Sequence, residues 1–209
     1  MKKNLGLFLA IILVQIAPFI SAADTLHPLI YKIDIKKEIS NTTRLYLSNG
    51  LAEAYALGAD AVLIHMNTYG GQVDAADSMR TAILYNPIPV YVFIDNNAAS
   101  AGALISIACK KIYMRKGANI GAATVVNPTG EAMPDKYQSY MRSMMRSTAE
   151  AHGQDTIVQK NDTLYKWKRD PLIAEAMVDE RVAIPNLYLA RLSGTFPGVR
   201  FYWTARSSG

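Results

Sequence analysis

The 209-residue chain has one cysteine and three histidines, and no aspartate or glutamate occurs between Asn186 and Gly209. A lone Cys109 excludes an internal disulfide, and its place at the end of an apolar run reads as a small buried side chain. His27, His65 and His152 are scattered, and nowhere do His, Cys, Asp and Glu fall at metal-ligand spacing, so nothing calls for a metal or a cofactor. Asp74 and Asp77 lie on one predicted helix and read as capping or solvent-facing side chains. A stripe of Lys/Arg with interleaved aromatics is also missing. The formal charge is +5, Lys2 and Lys3 supply two of it, and the remaining +3 is too little for a nucleic-acid surface. Low-complexity tracts and long linkers are absent.

Half of the residues are hydrophobic, which excludes disorder for the body of the chain, and the length suits one globular domain. Residues 1–23 have the order of a secretory signal peptide: basic Met1-Lys2-Lys3, an apolar run from Leu7 to Ile20, then small Ser21-Ala22-Ala23 before Asp24. Cleavage there gives an exported, periplasmic or extracytoplasmic product. Left uncleaved, the run, counted from Leu5, is near the lower length limit for a membrane anchor. The predicted domain covers 24–185. Residues 186–209, with Arg191, Arg200 and Arg206 among Ser, Gly, Thr and aromatics, show neither helical nor alternating period and read as a divergent or truncated tail.

Leu29 to Ile35 alternates like a strand, Thr42 to Leu57 has helical spacing, and Gly58-Ala59-Asp60 turns into a buried strand, Ala61 to Met66. Asn67-Thr68-Tyr69-Gly70-Gly71 then leads into a helix, Val73 to Leu84. A third strand, Pro89 to Ile94, leads through Ala99-Ser100-Ala101-Gly102 into an apolar helix that ends at Cys109. The class is therefore α/β. Gly70 and Gly71 allow backbone N–H groups to approach a developing oxyanion. Ser100, in the first turn of its helix and among small neighbours, has its oxygen near the positive end of a helix dipole. Ser106, deep in the same apolar run, reads as core.

A serine needs a base to act as a nucleophile. His27 precedes the first strand, His65 lies within a strand, and His152 before Gly153 reads as a helix C-terminal cap. Lysine is the remaining candidate, since a desolvated ammonium deprotonates. Lys110 and Lys111 are too far along the Ser100 helix. Lys136 starts an amphipathic helix whose predicted stripe is Tyr137, Tyr140, Met141, Met144, Met145 and Thr148, and it falls at the stripe's edge, partly dry yet reachable. Asn127-Pro128-Thr129-Gly130 reads as a loop long enough to let that helix swing as a lid. Each part alone has a bland reading, as a turn, tight packing or a solvated charge; their order on these elements is what points to a Ser/Lys hydrolase.

From about Pro28 to Pro185 the chain resembles the NfeD family of membrane-bound ClpP-class serine proteases, relatives of signal peptide peptidase A and, more distantly, of ClpP and the crotonases. The segments that carry the resemblance are Asn67-Thr68-Tyr69-Gly70-Gly71-Gln72-Val73, Ala99-Ser100-Ala101-Gly102-Ala103, Lys111-Ile112-Tyr113-Met114, Ile120-Gly121-Ala122-Ala123, Gly130-Glu131-Ala132, Met145-Arg146-Ser147 and Ala174-Glu175-Ala176-Met177-Val178-Asp179. It implies a ClpP/crotonase-like spiral of β-β-α units. Ser100 takes the family's nucleophile position, Lys136 the base, and Gly70 and Gly71 the oxyanion donors. The implied activity is hydrolysis of hydrophobic peptide segments, including those of stomatin-like membrane proteins, by a homo-oligomer.

This chain departs from the family at Tyr69, where many relatives have proline, and at its end, where full-length relatives continue into transmembrane helices and a small β-barrel. Two rival readings stay open on the sequence. One is a catalytically inactive assembly or membrane-protein interaction subunit of the same fold. The other, a crotonase-type acyl-thioester enzyme, shares the glycine turn but needs no nucleophilic serine.

Overall fold

The computed structural model describes residues 27–159 and 162–184. The predicted signal segment and the tail of residues 186–209 lie outside the described residues. Among the described residues, no helix is long and apolar enough to cross a membrane.

Strand β1 (Ile30–Ile35), helix α1 (Asn41–Ala56), β2 (Ala61–Thr68), α2 (Val73–Leu84), β3 (Val90–Ala99), α3 (Ala101–Ala108) and β4 (Lys111–Met114) alternate along the chain. The strands pair in the order β1-β2-β3-β4, all parallel. A short strand β5 (Asn119–Gly121) joins β3 farther along, at Asn97, Ala98 and Ala99. β3 is thus the pivot: its first half holds β2 and β4, and its last three residues hold β5. A register shift between Met66 and Thr68 marks the change. Helix α4 (Asp135–Glu150), a hairpin of β6 (Gln154–Gln159) and β7 (Asp162–Trp167), and the short α5 (Pro171–Ala176) follow.

Local chemistry accounts for these boundaries. α1 begins where Ser40 and Thr43 form a capping box, the Ser40 N–H donating to Thr43 Oγ1 at 2.7 Å. α5 begins at Pro171 after Asp170 accepts from the Leu172 N–H at 2.8 Å. β2 was expected to be buried throughout. Instead Val62, Ile64, Met66 and Thr68 are buried, while Leu63, His65 and Asn67 on the other face are only half covered.

All eight residues of α3 are buried, which a helix apolar on every side requires. α4 lies against α3 and α5 through Met141, Met144, Met145, Thr148 and Ala149. The predicted stripe was wider than this. Tyr137 and Tyr140 are exposed, because neighbouring helices cover only the methionine side of α4.

Candidate active site

β3 runs without a break to Ala99, and Ser100 turns the corner into α3 with φ 54° and ψ −118°. Ser100 is therefore the residue before the helix, one step outside the first turn expected for it. A non-glycine residue at positive φ is strained and persists only where its surroundings over-determine it; on a sharp strand-to-helix corner this presents a side chain outward. The surroundings here are specific. The Ser100 N–H donates to the Gly121 carbonyl on β5 at 2.8 Å, and the Ser100 carbonyl accepts from the Ala103 N–H at 2.9 Å. Gly70 packs directly beneath: a Cβ at that position would lie 2.6 Å from Ser100 Cβ and 3.1 Å from Oγ. Gly102 is equally constrained, by Thr68 Cγ2 at 2.6 Å from its would-be Cβ.

The structure thus brings Gly70 and Ser100 together across elements thirty residues apart. Their hydrogen-bond states divide the two glycines. The Gly70 N–H donates to Thr68 Oγ1 at 3.2 Å, whereas the Gly71 N–H has no partner among the described residues. A second open donor is the N–H of Ala101, the first residue of α3, which has no intrahelical acceptor. The sequence reading missed Ala101 because it placed Ser100 inside the helix; the small-residue run Ala99 to Ala103 left the helix start undetermined.

No histidine reaches Ser100. His65 pairs with Phe93 in the β2–β3 register, seven strand positions before Ser100, roughly 20 Å away at strand rise. It sits between Asp34 (Nδ1 to Oδ1, 2.9 Å) and Asp95 (Nε2 to Oδ2, 3.3 Å). His152 sits just past the C-terminus of α4 as expected, its N–H donating to the Ala149 carbonyl at 3.2 Å, and its Nε2 lies 2.7 Å from the Ile107 carbonyl at the far end of α3. Burial is the main force holding its imidazole below the usual histidine range. His152 and Lys110 line a shallow cavity of about 310 Å³ beside Pro89 and Val90, at the opposite end of β3 from Ser100. Cys109 is fully buried, and burial pushes its thiol up to about 12, so it is no nucleophile at neutral pH. Ser106 is buried as expected, its Oγ without a hydrogen bond. Among the described residues, no three His, Cys, Asp or Glu side chains group as metal ligands.

Lys136 lies in the first turn of α4 as expected, but it is exposed rather than half dry, and no hydrogen bond joins it to Ser100. The exposure of Tyr137 and Tyr140 explains this: the edge of the covered stripe retreats to Met141 and Met144. Its neighbour Asp135 does not pair with it. The Asp135 carboxylate lies 3.3 Å from Arg142 and 3.5 Å from Arg181, which also hold Asp179 at 2.9 and 2.8 Å. The Asn127–Gly130 loop is not the free tether that a lid needs. Asn127 Oδ1 accepts from the Thr129 and Glu131 N–H groups at 3.0 and 2.9 Å, and Val126 bridges Ala132.

The Asp179 carboxyl, bonded first by the Arg181 side chain and backbone and then attracted by Arg142, is held well below the usual carboxylate range. Asp34 is drawn down to about 2, chiefly by Lys32. A depressed carboxylate contributes stability that is present above its unfolded value and lost as pH falls toward its folded one. Asp179→Asn should therefore flatten the acid side of the stability profile. The difference in urea midpoint between about pH 6 and about pH 2.5 should shrink by an amount equivalent to about 1.5 kcal/mol, the scale of a charge-assisted hydrogen bond.

The family model "NfeD1b, N-terminal domain" matches residues 29–163. Membrane protein NfeD1b of Bacillus subtilis (strain 168) is 33% identical over 150 residues, covering 72% of this chain and 31% of that protein. Membrane-bound protease PH1510 of Pyrococcus horikoshii is 27% identical over 138 residues, covering 62% of this chain and 31% of that protein. The chain thus spans about a third of the length of these relatives. Two solved forms of the 1510-N membrane-bound stomatin-specific protease superpose. A serine-to-alanine mutant gives a TM-score of 0.62 at 24% identity over 73% of this chain and 70% of that one. A lysine-to-alanine mutant in complex with a substrate peptide gives 0.63 at 22% identity, over 79% and 73%. Likeness at this identity is one of fold, and it agrees with the α/β class expected from the sequence.

Proposed function

The chain belongs to the NfeD1b N-terminal domain family, and from that premise we propose that it is a serine endopeptidase acting through Ser100 and Lys136. Ser100 Oγ bonds to the carbonyl carbon of a peptide while its proton passes to the neutral Lys136 amine. The resulting oxyanion is held by the open N–H groups of Gly71 and Ala101, and the Gly70 N–H joins them only by leaving Thr68 Oγ1. Collapse breaks the C–N bond, the leaving amine takes the proton from Lys136, and water then releases the acyl group by the same steps reversed.

The observation that carries this reading is Ser100 itself: a strained φ of 54° at a strand-to-helix corner, packed on a glycine that no other residue could replace. The two solved forms of the relative carry their substitutions at one serine and one lysine, the same pair of residue types. Asp135, engaged by two arginines, leaves the Lys136 amine free of its nearest counter-ion. For substrate, exposed rings adjoin the pair in sequence, Tyr69 beside Gly70 and Tyr137 and Tyr140 within one turn of Lys136, and they favour an apolar peptide. A hydrophobic segment of a stomatin-like membrane protein, met outside the cytoplasmic membrane by a homo-oligomer, is our proposal for the substrate and its setting.

One observation favours a noncatalytic assembly subunit instead: Lys136 is exposed and not bonded to Ser100. A fluorophosphonate probe separates the two. The full chain should label at Ser100, and Ser100→Ala should abolish labelling while Ser106→Ala leaves it intact. A wild-type protein that stays unlabelled while folded would reject the peptidase reading.

A further inference from the structure

Gln138 is used by none of the chemistry above, yet its amide makes three hydrogen bonds to backbone. Its Oε1 accepts from the Val125 N–H at 2.9 Å, and its Nε2 donates to the Val125 carbonyl at 2.8 Å and to the Met133 carbonyl at 3.0 Å. A side-chain amide that engages both groups of one residue copies the pairing of a neighbouring strand. The three bonds tie the start of α4 to the backbone on its N-terminal side. The residue before the helix, Pro134, supplies no side-chain cap, so the first turn lacks the usual device against fraying.

The bonds continue from Val125 back to the nucleophile. Thr124 Oγ1 donates to the Val178 carbonyl at 2.9 Å, the Ala123 N–H donates to the Met177 carbonyl at 2.8 Å, and Gly121 accepts from the Ser100 N–H at 2.8 Å. The short stretch from Gly121 to Val125 therefore links Ser100 at one end to the first turn of α4 at the other. Lys136 projects from that turn, two residues before Gln138. On the reading of Ser100 and Lys136 as a pair, we infer that Gln138 is a positioning residue for Lys136: its amide leaves the first-turn N–H groups uncapped but tethers that turn to the Val125 and Met133 backbone, and so holds the lysine against the segment that leads back to the serine.

The test uses the full chain with Gln138→Ala, Gln138→Glu and Lys136→Ala. Gln138→Ala should lower kcat about 100-fold with KM changed less than about threefold, since the loss is of alignment and not of substrate contact. Gln138→Glu keeps the acceptor for the Val125 N–H but sets a carboxylate oxygen against the Val125 and Met133 carbonyls, so its kcat should fall at least as far as that of Gln138→Ala. Amide exchange at Val125 should quicken in Gln138→Ala while the melting midpoint stays close to wild type, because Met141, Met144 and Met145 still anchor the helix. If Lys136→Ala is inactive but folded Gln138→Ala turns over like wild type, the inference about Gln138 is overturned and the pair stands. If Lys136→Ala keeps its turnover, the pair itself is wrong. Should wild type show no turnover, acylation of the Lys136 amine by a small active ester decides: an unchanged rate in Gln138→Ala, with unchanged Val125 exchange, overturns the positioning role.

Discussion

Ser100→Ala should lower turnover of a hydrophobic peptide by about 10³-fold or more, Lys136→Ala should do nearly the same, and the double mutant should be little worse than either. Non-additivity is the signature sought, because a nucleophile without its base and a base without its nucleophile fail at one and the same step. The geometry narrows the alternatives for that base. His65 is committed between two carboxylates on the sheet face, and His152 sits at the far end of α3. Lys110 shares that far cavity, so Lys110→Ala should stay within about twofold of wild type, as surface substitutions away from the site do. The exposed position of Lys136 means that substrate must supply part of the drying. Catalytic hydrogen bonds that are long or absent without ligand and tighten with it are common, and on the proposed reading a bound apolar peptide is the group that would exclude water here. A Lys136→Ala protein that retains most of its activity would move the search for a base elsewhere.

The elements that carry the candidate site were legible in the chain because they have a strong local signal. α2 and α4 begin where apolar period and first-turn residues say they do, and Cys109 and Ser106 are buried as their apolar surroundings imply. What was not legible depends on partners distant in sequence. Nothing around Ser100 announces a positive φ; that conformation comes from β3 continuing to Ala99, from β5 taking the Ser100 N–H, and from Gly70 lying beneath. Periodicity gave a stripe on α4 but not its covered width, which is set by α3 and α5, so Tyr137 and Tyr140 were assigned to the wrong side of the boundary. The β6–β7 hairpin falls between two segments that resemble the family and carries no turn signal strong enough to stand out. The Asn127 loop reads as slack in sequence, yet a single asparagine oxygen and the Gln138 amide hold it.

Gly71→Ala should unfold or severely weaken the protein, a loss of about 3 kcal/mol or more, whereas Tyr69→Ala two residues away should leave stability nearly unchanged. Gly71 was singled out from sequence as an oxyanion donor, but its first constraint is steric. Its φ is +150°, and a Cβ there would lie 2.1 Å from the Ile39 carbonyl oxygen and 2.7 Å from the Ile39 nitrogen, backbone atoms that no rotamer change can move aside. Those atoms are already committed. The Ile39 N–H donates to the Gly70 carbonyl and the Ile39 carbonyl accepts from the Gln72 N–H, both at 2.8 Å, so the glycine turn is stitched to the segment leading into α1. Ile39 is itself fully buried in the core. Making room for one methyl group therefore breaks two backbone bonds and shifts a core side chain, while Tyr69, 81% exposed, has little to lose. Urea titration of the two variants checks the contrast. A Gly71→Ala protein of near wild-type stability would mean that the turn has slack, and with it the hold of Gly70 on Ser100 would no longer account for the strained backbone of the serine.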